Sequence, residues 1–331
     1  MLADPLRRRL MLKLSALALP LAGQGTAIAQ ARPDAVRVLC GYPPGGASDS
    51  IARRLAERIA GGYARVAVVD NKPGAAGRLA VEELRKGPAD GSTLLITPAS
   101  VVTMYPHVYR QLSYDVFTDL APVAVVASTA FALAVGPKVP ASVQSLDDFA
   151  KWCKANPALA QCGNAGAGSM PHFMAMLLGR ETGIDLIHIP YRGGPAAMQD
   201  AAAGQISAAL ATEGSALSLE QAGKLRVLAT TAAKRSAFFP NAATFESLGY
   251  RHLTRSEWFG AFMQGRTRPD IAARMSEALG AAVQELDIRE AWHKLSLSPA
   301  TSTPAELQAM VRAEHDFWGP LVKASGFTPE A

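Results

Sequence analysis

Short apolar runs of strand length alternate along the chain with stretches whose apolar residues recur every three or four positions. Residues 36–40 form one such run, and Ile51, Leu55 and Ile59 then share one face of a predicted helix. Glycines and prolines separate the two, and Ser48 or Asp49 is placed to cap the helix. Strands that alternate with helices predict an α/β fold, with a parallel or mixed sheet covered on both faces.

The same alternation continues to the C-terminal end. Further strands are expected at 66–69, 93–96, around 162, 187–189, 206–210 and 227–229, and further helices at 80–85, 146–155, 173–181, 196–203, 269–285, 288–294 and 304–324. Two apolar stretches, 123–135 and 257–263, predict strands that cross between two lobes. These crossings divide the chain into a first lobe of residues 32–128 plus 257–331 and a second lobe of residues 129–256.

The first 31 residues have the pattern of an export signal peptide. Arg7, Arg8 and Arg9 precede a short apolar run at 12–21, and small residues at 27–31 offer cleavage positions. The apolar run has about half of the ~20 residues that a membrane-spanning helix needs. Since Arg8-Arg9 also fits a twin-arginine signal, export by the Sec or the twin-arginine route stays open.

Charge excludes one class of partner. Residues 1–31 hold four basic residues and one acidic residue, so the formal net charge of +5 falls to +2 without them. The remaining basic residues are scattered among acids, whereas a nucleic-acid partner needs them clustered. We therefore expect no nucleic-acid partner.

Three cysteines follow the signal: Cys40, Cys153 and Cys162. Their spacing fits neither a zinc site nor a C-x-x-C motif. In an oxidising compartment Cys153 and Cys162 could form a disulfide, and two free thiols fit the spacing equally well. Cys40 lies in an apolar run, where a buried thiol is expected.

Glycine, proline and small hydroxyl residues cluster where predicted strands end. Five segments share this position: 42–49, 97–100, 163–171, 190–196 and 212–215. The first, third and fourth of these run directly into a predicted helix. Ligands of open α/β sheets bind beyond the carboxyl ends of the strands, where helix N-termini present unpaired N–H groups. The segments therefore predict a cleft for a small anion such as a carboxylate.

Several side chains in these segments support two interpretations. Asp49 either caps the helix or accepts a hydrogen bond from the ligand, and Arg192 either pairs with a carboxylate or is an exposed charge. His172 is a donor near a helix start or a packed ring, and Glu213 is a rim residue or a selector against the wrong charge. The candidate ligand-binding residues are Tyr42, Pro43, Gly45, Gly46, Ser48, Asp49, Thr97, Ala99, Ser100, Gly166, Gly168, Ser169, His172, Tyr191, Arg192, Gly193, Ala196 and Glu213.

Signatures of catalysis are scarce. The sequence has no G-x-S-x-G elbow, no H-E-x-x-H pair, no Walker loop and no dinucleotide fingerprint with its acid. The six histidines form no i, i+4 pair. We therefore expect a binding protein without metal or cofactor rather than an enzyme.

Stretches spread over essentially the whole chain after the signal resemble one known family. They are residues 42–49 (YPPGGASD), 69–77 (VDNKPGAAG), 88–95, 105–109, 112–115, 163–172 (GNAGAGSMPH), 190–196 (PYRGGPA), 222–229 and 258–260. In these the chain resembles the receptors of tripartite tricarboxylate transporters, also called Bug proteins. The resemblance implies a type II periplasmic-binding-protein fold: two lobes with mixed sheets flanked by helices, and a ligand cleft between them.

The resemblance also implies a role. Such a receptor is a periplasmic monomer that captures a carboxylate and presents it to membrane transporter subunits. A sensor for a signalling partner, and an exported enzyme acting on a carboxylate, are the alternatives. Arg192, Cys162 and the segment 212–215 depart from the family pattern. The ligand therefore stays open among a dicarboxylate, a tricarboxylate, an amino acid and an aromatic acid.

Overall fold

One mixed sheet runs through the part of the chain that the computed structural model describes, residues 33–327. Its strands are β1 Ala35–Cys40, β2 Val66–Asn71, β3 Thr93–Pro98, β4 Leu120–Val135, β5 Gln161–Asn164, β6 Ile187–Pro190, β7 Ala208–Thr212, β8 Arg226–Thr230, β9 Ala243–Thr244, β10 Ser256–Gln264 and β11 Ser298–Pro299. The predicted export signal, residues 1–31, lies outside the described residues.

Helices cover both faces of this sheet. They are α1 Ala47–Ile59, α2 Arg78–Lys86, α3 Ala99–Thr103, α4 Tyr105–Val108, α5 Val116–Asp119, α6 Leu146–Ala155, α7 Met170–Thr182, α8 Gly194–Ala202, α9 Glu213–Gln221, α10 Pro269–Gln284, α11 Leu286–His293 and α12 Pro304–Ala324. The predicted α/β fold is confirmed. No helix of residues 33–327 has both the length and the apolar character that crossing a membrane requires.

The two faces of the sheet explain why its strands are continuous apolar runs. In β3, Leu94 and Ile96 join one hydrophobic cluster, with α1 and α10. Leu95, between them, joins the opposite cluster, which includes the buried side of α12. Because successive side chains of a strand point to opposite faces, a strand buried on both sides cannot alternate with polar residues.

The long strand β4 connects the two halves of the sheet. Its residues 120–130 pair antiparallel with β10, and its residues 131–135 pair antiparallel with β7. On the β10 side, β1, β2 and β3 are parallel; on the β7 side, β5, β6 and β7 are parallel. The strands predicted at 123–135 and 257–263 are confirmed as β4 and β10. The boundaries of the two lobes stay a prediction.

The register brings the carboxyl ends of the two parallel sets towards each other. Pro98, the last residue of β3, pairs with Phe259 of β10, which pairs with Ala127 of β4. Thr212, the last residue of β7, pairs with Phe131 of β4. The two strand ends therefore approach β4 from opposite directions, four positions apart, which is roughly 13 Å along a strand.

Three local predictions are wrong at helix starts. Helix α1 begins at Ala47 with Gly46 as its N-cap, so Ser48 and Asp49 lie inside its first turn and do not cap it. The segments 97–100 and 212–215 are not loops. Helix α3 begins at Ala99 directly after β3, and α9 begins at Glu213 directly after β7. All five predicted segments therefore lead into helices, not three of them.

The disulfide considered between Cys153 and Cys162 is not formed. Both residues are free thiols, as is Cys40. Cys153 of α6 and Cys162 of β5 are buried in the main hydrophobic core, where each packs as a small apolar side chain. Burial raises the pKa of both thiols to about 12. The buried thiol expected at Cys40 is confirmed.

Candidate ligand-binding site

Five helix N-termini follow directly from the carboxyl ends of parallel strands. Short segments join β1 to α1, β5 to α7 and β6 to α8, while β3 and β7 pass into α3 and α9 without one. None of these five starts has a side chain bonded as its N-cap. By contrast, Ser145 and Thr303 form capping boxes at α6 and α12. The N-termini at the strand ends therefore have no side-chain N-cap that would cover their N–H groups.

Asp49 stabilises the first of these junctions. Its Oδ2 accepts from the N–H of Gly45 at 2.9 Å and from Nε of Arg53 at 3.0 Å, and its Oδ1 accepts from Nδ2 of Asn71 at 2.8 Å. The same amide group donates to the carbonyl oxygen of Tyr42 at 3.0 Å. Although burial acts to raise the pKa of Asp49, these hydrogen bonds leave it below its usual value. The carboxylate therefore holds the 42–46 segment against β2.

A second carboxyl group occupies the start of α3. Glu257 of β10 is buried, and its Oε1 accepts from the N–H of Ser100 at 3.2 Å. Burial raises the pKa of Glu257 to about 8. Thr97, Ala99 and Ser100 are themselves buried. This junction is therefore closed by the protein's own acid.

The segment before α7 folds around two glycines with positive φ. Gly166 has φ +121° and Gly168 φ +73°, a region that glycine adopts readily. Ser169 donates to the carbonyl oxygen of Gly166 at 2.7 Å, and the N–H of Gly168 donates to Nδ1 of His172 at 3.0 Å. His172 is buried against His188, and burial together with that neighbour lowers its pKa to about 4. His172 thus supports the segment as a neutral acceptor.

The segment before α8 is held from one side and open on the other. Tyr191 donates through its hydroxyl to Oδ2 of Asp200 at 2.8 Å, which fixes the segment to its helix. Gly193, the N-cap of α8, has φ +122°. The next residue, Gly194, lies so close to Ser215 Oγ that a Cβ would approach it to 2.9 Å. Arg192 is exposed on the open side.

The ends of β5 and β7 carry two buried polar side chains that, unlike Asp49 and His172, have polar atoms without hydrogen-bond partners. Asn164, the last residue of β5, is 1% exposed, and neither its Oδ1 nor its Nδ2 has a partner within the described residues. Glu213 at the start of α9 is 3% exposed, and its Oε1 also lacks one. Glu213 lines a separate cavity with residues 128–130 and 232–238, which includes none of the other candidate residues.

Asn164 is not among the candidate residues predicted from the sequence, although it lies in the predicted 163–171 segment. Its signal was an amide at the end of a strand whose neighbours, Cys162 and Gly163, are apolar or small. A buried amide with neither a donor nor an acceptor bond requires an explanation, such as a ligand or an ordered water.

The candidate residues divide by exposure. Those at least partly accessible are Tyr42, Pro43, Gly45, Gly46, Gly166, Ser169, Tyr191, Arg192, Gly193 and Ala196. Those buried are Ser48, Asp49, Thr97, Ala99, Ser100, Gly168, His172 and Glu213. The accessible set offers backbone N–H groups and one guanidinium from the β1, β5 and β6 junctions. Within residues 33–327, no cluster of three or more His, Cys, Asp or Glu side chains could hold a metal ion.

The β10 side and the β7 side of the sheet are in contact near the strand-end segments. A Cβ on Gly168, in the segment before α7, would lie 2.5 Å from the side chain of Val108 of α4. Two tyrosines support the first half nearby, since Tyr42 and Tyr105 both donate to the carbonyl oxygen of Ala76, at 3.3 and 3.2 Å. The segment before α7 therefore contacts helix α4 of the other half.

Comparison with known sequences gives a family. The sequence profile described as the tripartite tricarboxylate transporter family receptor matches residues 51–327. The chain is also similar to protein BugT of Bordetella pertussis, with 30% identity over 297 residues that cover 89% of this chain and 90% of that protein.

Comparison with solved structures gives the same fold. A structure described as a periplasmic transporter is 30% identical and has a TM-score of 0.81; the match covers 89% of this chain and 98% of that one. The R. palustris protein Rpa4515 with adipate is 27% identical and has a TM-score of 0.82; the match covers 90% of this chain and 99% of that one. The periplasmic-binding-protein fold that the resemblance implied is confirmed.

Proposed function

The chain belongs to the tripartite tricarboxylate transporter receptor family, a family of solute-binding receptors, and from that premise we propose that it is a periplasmic receptor that captures a small carboxylate and presents it to membrane transporter subunits. Residues 1–31 would direct its export. The mature protein would act as a monomer and would release its ligand chemically unchanged.

One observation carries the proposal. The carboxyl ends of the two sets of parallel strands approach β4 from opposite directions, and the helix N-termini after β1, β5 and β6 have no side-chain N-cap. Each such N-terminus stabilises a bound carboxylate by about 0.3 to 1 kcal/mol, and by up to ~2 kcal/mol where it is partly buried. A molecule with two acid groups gains from both halves at once.

We assign the contacts to the accessible residues. The segments 42–46, 166–169 and 191–193 supply backbone N–H groups, and Arg192 supplies a cation for a second acid group. Asn164 is buried rather than accessible, and we assign its two unpartnered amide atoms to a water that bridges to the ligand. Residues 32–128 plus 257–331 and residues 129–256 would then be two lobes that close over the ligand. Closure follows because a ligand bound by both lobes has a higher affinity for the closed form.

A thermal-shift titration of the mature protein tests the proposal. Adipate is the first probe, followed by shorter dicarboxylates, a tricarboxylate, amino acids and aromatic acids, with adipamide as the uncharged control. A ligand at 100 times its dissociation constant stabilises the native state by about 2.7 kcal/mol, which raises the unfolding temperature by a few degrees. A shift with an acid that its amide does not reproduce supports the proposal, and mass spectrometry of the released ligand checks that it is unchanged.

Two glycine variants locate the site. Gly193 and Gly223 both have positive φ and open space around them, but only Gly193 lies at the proposed cleft. Gly193→Val should reduce affinity for the acid at least tenfold, while Gly223→Val, which also places a side chain on a residue with positive φ, should leave it unchanged. Equal affinity in the wild type and Gly193→Val would contradict the assignment of the 191–193 segment.

A further inference from the structure

A cavity of about 410 Å³ lies beside the strands that connect the two halves, and none of the residues in segments 42–46, 166–169 and 191–193 lines it. Residues 128–130 of β4 and Ser256 of β10 form one wall. The segment 232–238 after β8 and the end of α11 form the others, and the rings of Phe238 and His293 meet across them at 4.8 Å. The volume falls in the range of natural small-molecule sites.

The buried wall of this cavity is acidic and contains polar atoms without partners. Glu213 and Ser296 both line it, at 3% and 1% exposure. Within the described residues, neither Oε1 of Glu213 nor Oγ of Ser296 has a hydrogen-bond partner. Ser236 hydrogen-bonds the carboxyl group of Glu213, and burial raises the pKa of that group to about 7. Two unpartnered polar atoms on residues that line one cavity require an explanation, such as a bound group or an ordered water.

The exposed rim of the cavity has the opposite charge. Lys234, Arg289 and His293 are exposed lining residues. Over residues 33–327, neither Lys234 nor Arg289 takes part in an ion pair. Arg235 is different, because its Nη1 already donates to the carbonyl oxygens of Pro240 and Ala242. The rim therefore offers two cations that are not used by the fold.

A simple anion and a simple cation each match only half of this arrangement. An anion would pair with Lys234 and Arg289 but would bring a second negative charge towards Glu213. A cation would pair with Glu213 but would have to pass the basic rim. A molecule with an ammonium group at one end and a carboxylate at the other is complementary to both.

We propose that this cavity is a second binding site, for a small amino acid. Its ammonium group donates to Oε1 of Glu213 and Oγ of Ser296, and its carboxylate pairs with Arg289 and Lys234. Such a ligand connects the 232–238 segment with α11 beside the strands that join the two halves. Its occupancy is therefore positioned to influence how the two halves move.

Calorimetric titration with glycine, β-alanine and 4-aminobutyrate tests the proposal, because these probes separate the two charges by increasing distances. Butyrate and butylamine, each lacking one charge, are the matched controls. At least one amino acid should bind, and both controls should bind at least tenfold more weakly. If none of the three amino acids binds, or if butyrate binds as tightly as they do, the proposal is wrong.

Variants assign the binding to the cavity. Glu213→Gln and Arg289→Ala should each weaken amino-acid binding about tenfold or more, because each removes one of the two charge pairs. Lys294→Ala removes an exposed cation that does not line the cavity and should have no effect. Binding that Gly193→Val abolishes and Glu213→Gln leaves intact would place the amino acid in the cleft and overturn the proposal.

Discussion

The junction after β1 and the strand ends of β5 and β7 are built from similar residues but differ in how their polar groups are satisfied. At the first, Asp49 and Asn71 bond each other, and both also bond the 42–45 segment. At the second, the amide of Asn164 and one oxygen of Glu213 have no partner among the described residues. Each of these four side chains lies at the end of a parallel strand of the sheet or in the helix that follows one.

This difference in hydrogen bonding distinguishes polar groups that stabilise the fold from polar groups that are free to bind another molecule. A buried carboxylate with three donors contributes to stability, whereas a buried one with an unpaired oxygen costs stability unless something binds it. The first junction therefore shapes the cleft without offering its acid to a ligand. At these strand ends, the groups whose hydrogen-bonding capacity is unused within the described part of the chain are Asn164 and Glu213, at the ends of β5 and β7.

The largest expected effect is on Asp49. Asp49→Ala removes the acceptor for Gly45, Arg53 and Asn71, so it should lower the free energy of unfolding by about 2–4 kcal/mol. Asp49→Asn keeps an acceptor for Asn71 and should cost less. Urea denaturation with an unchanged m-value measures both. A change below about 0.5 kcal/mol in Asp49→Ala would show that the network at the first junction does not hold the fold.

The next effect is a pH dependence at Glu213. Its pKa is about 7 in the folded state and about 4.5 when unfolded, so the folded state retains the proton more strongly. Stability from this group is therefore complete below pH 4.5 and decreases as the pH rises through 7, by roughly 3 kcal/mol in total. Asp49 has the opposite sign, because its lowered pKa makes stability fall only as the pH drops below about 3.8.

Glu213→Gln isolates that dependence. The variant cannot ionise, so its stability relative to the wild type should increase between pH 4.5 and 8. Basic residues also line the cavity, namely Lys234, Arg235, Arg289 and His293. Repeating the comparison in Lys294→Ala, whose cation lies outside the lining, controls for general charge effects. Parallel stability curves for the wild type and Glu213→Gln would mean that the Glu213 carboxyl is not desolvated in solution.

The sequence predicted the positions of the strands better than the partners of the polar groups. Apolar runs located β1, β4 and β10 to within a few residues, because burial on both faces leaves a direct pattern in the chain. The fate of Asp49 depended on Asn71, 22 residues away, and that contact exists only once β2 lies beside β1. Glycine and hydroxyl patterns therefore indicated where a site lies, but not which acids it uses.

The cavity at Glu213 shows the same limit more strongly. Its lining joins Glu213 to Ser296 and Arg289, which come from segments about 80 residues further along the chain. No local spacing connects them, so the sequence could not predict that these residues line one cavity. The spacing of Cys153 and Cys162 likewise left a disulfide and two free thiols open, and the structure has both as free thiols in the core.

The smallest expected effect on stability contrasts two asparagines. Asn71→Ala breaks bonds to Asp49 and to the carbonyl oxygen of Tyr42, so it should cost about 1–3 kcal/mol. Asn164→Ala removes an amide that has no bond to lose and should change stability by less than about 1 kcal/mol. The ligand-induced thermal shift should show the opposite order: Asn164→Ala should reduce this shift more than Asn71→Ala does. If Asn164→Ala destabilises the free protein as much as Asn71→Ala does, its amide belongs to the fold, and the distinction between the two strand ends fails there.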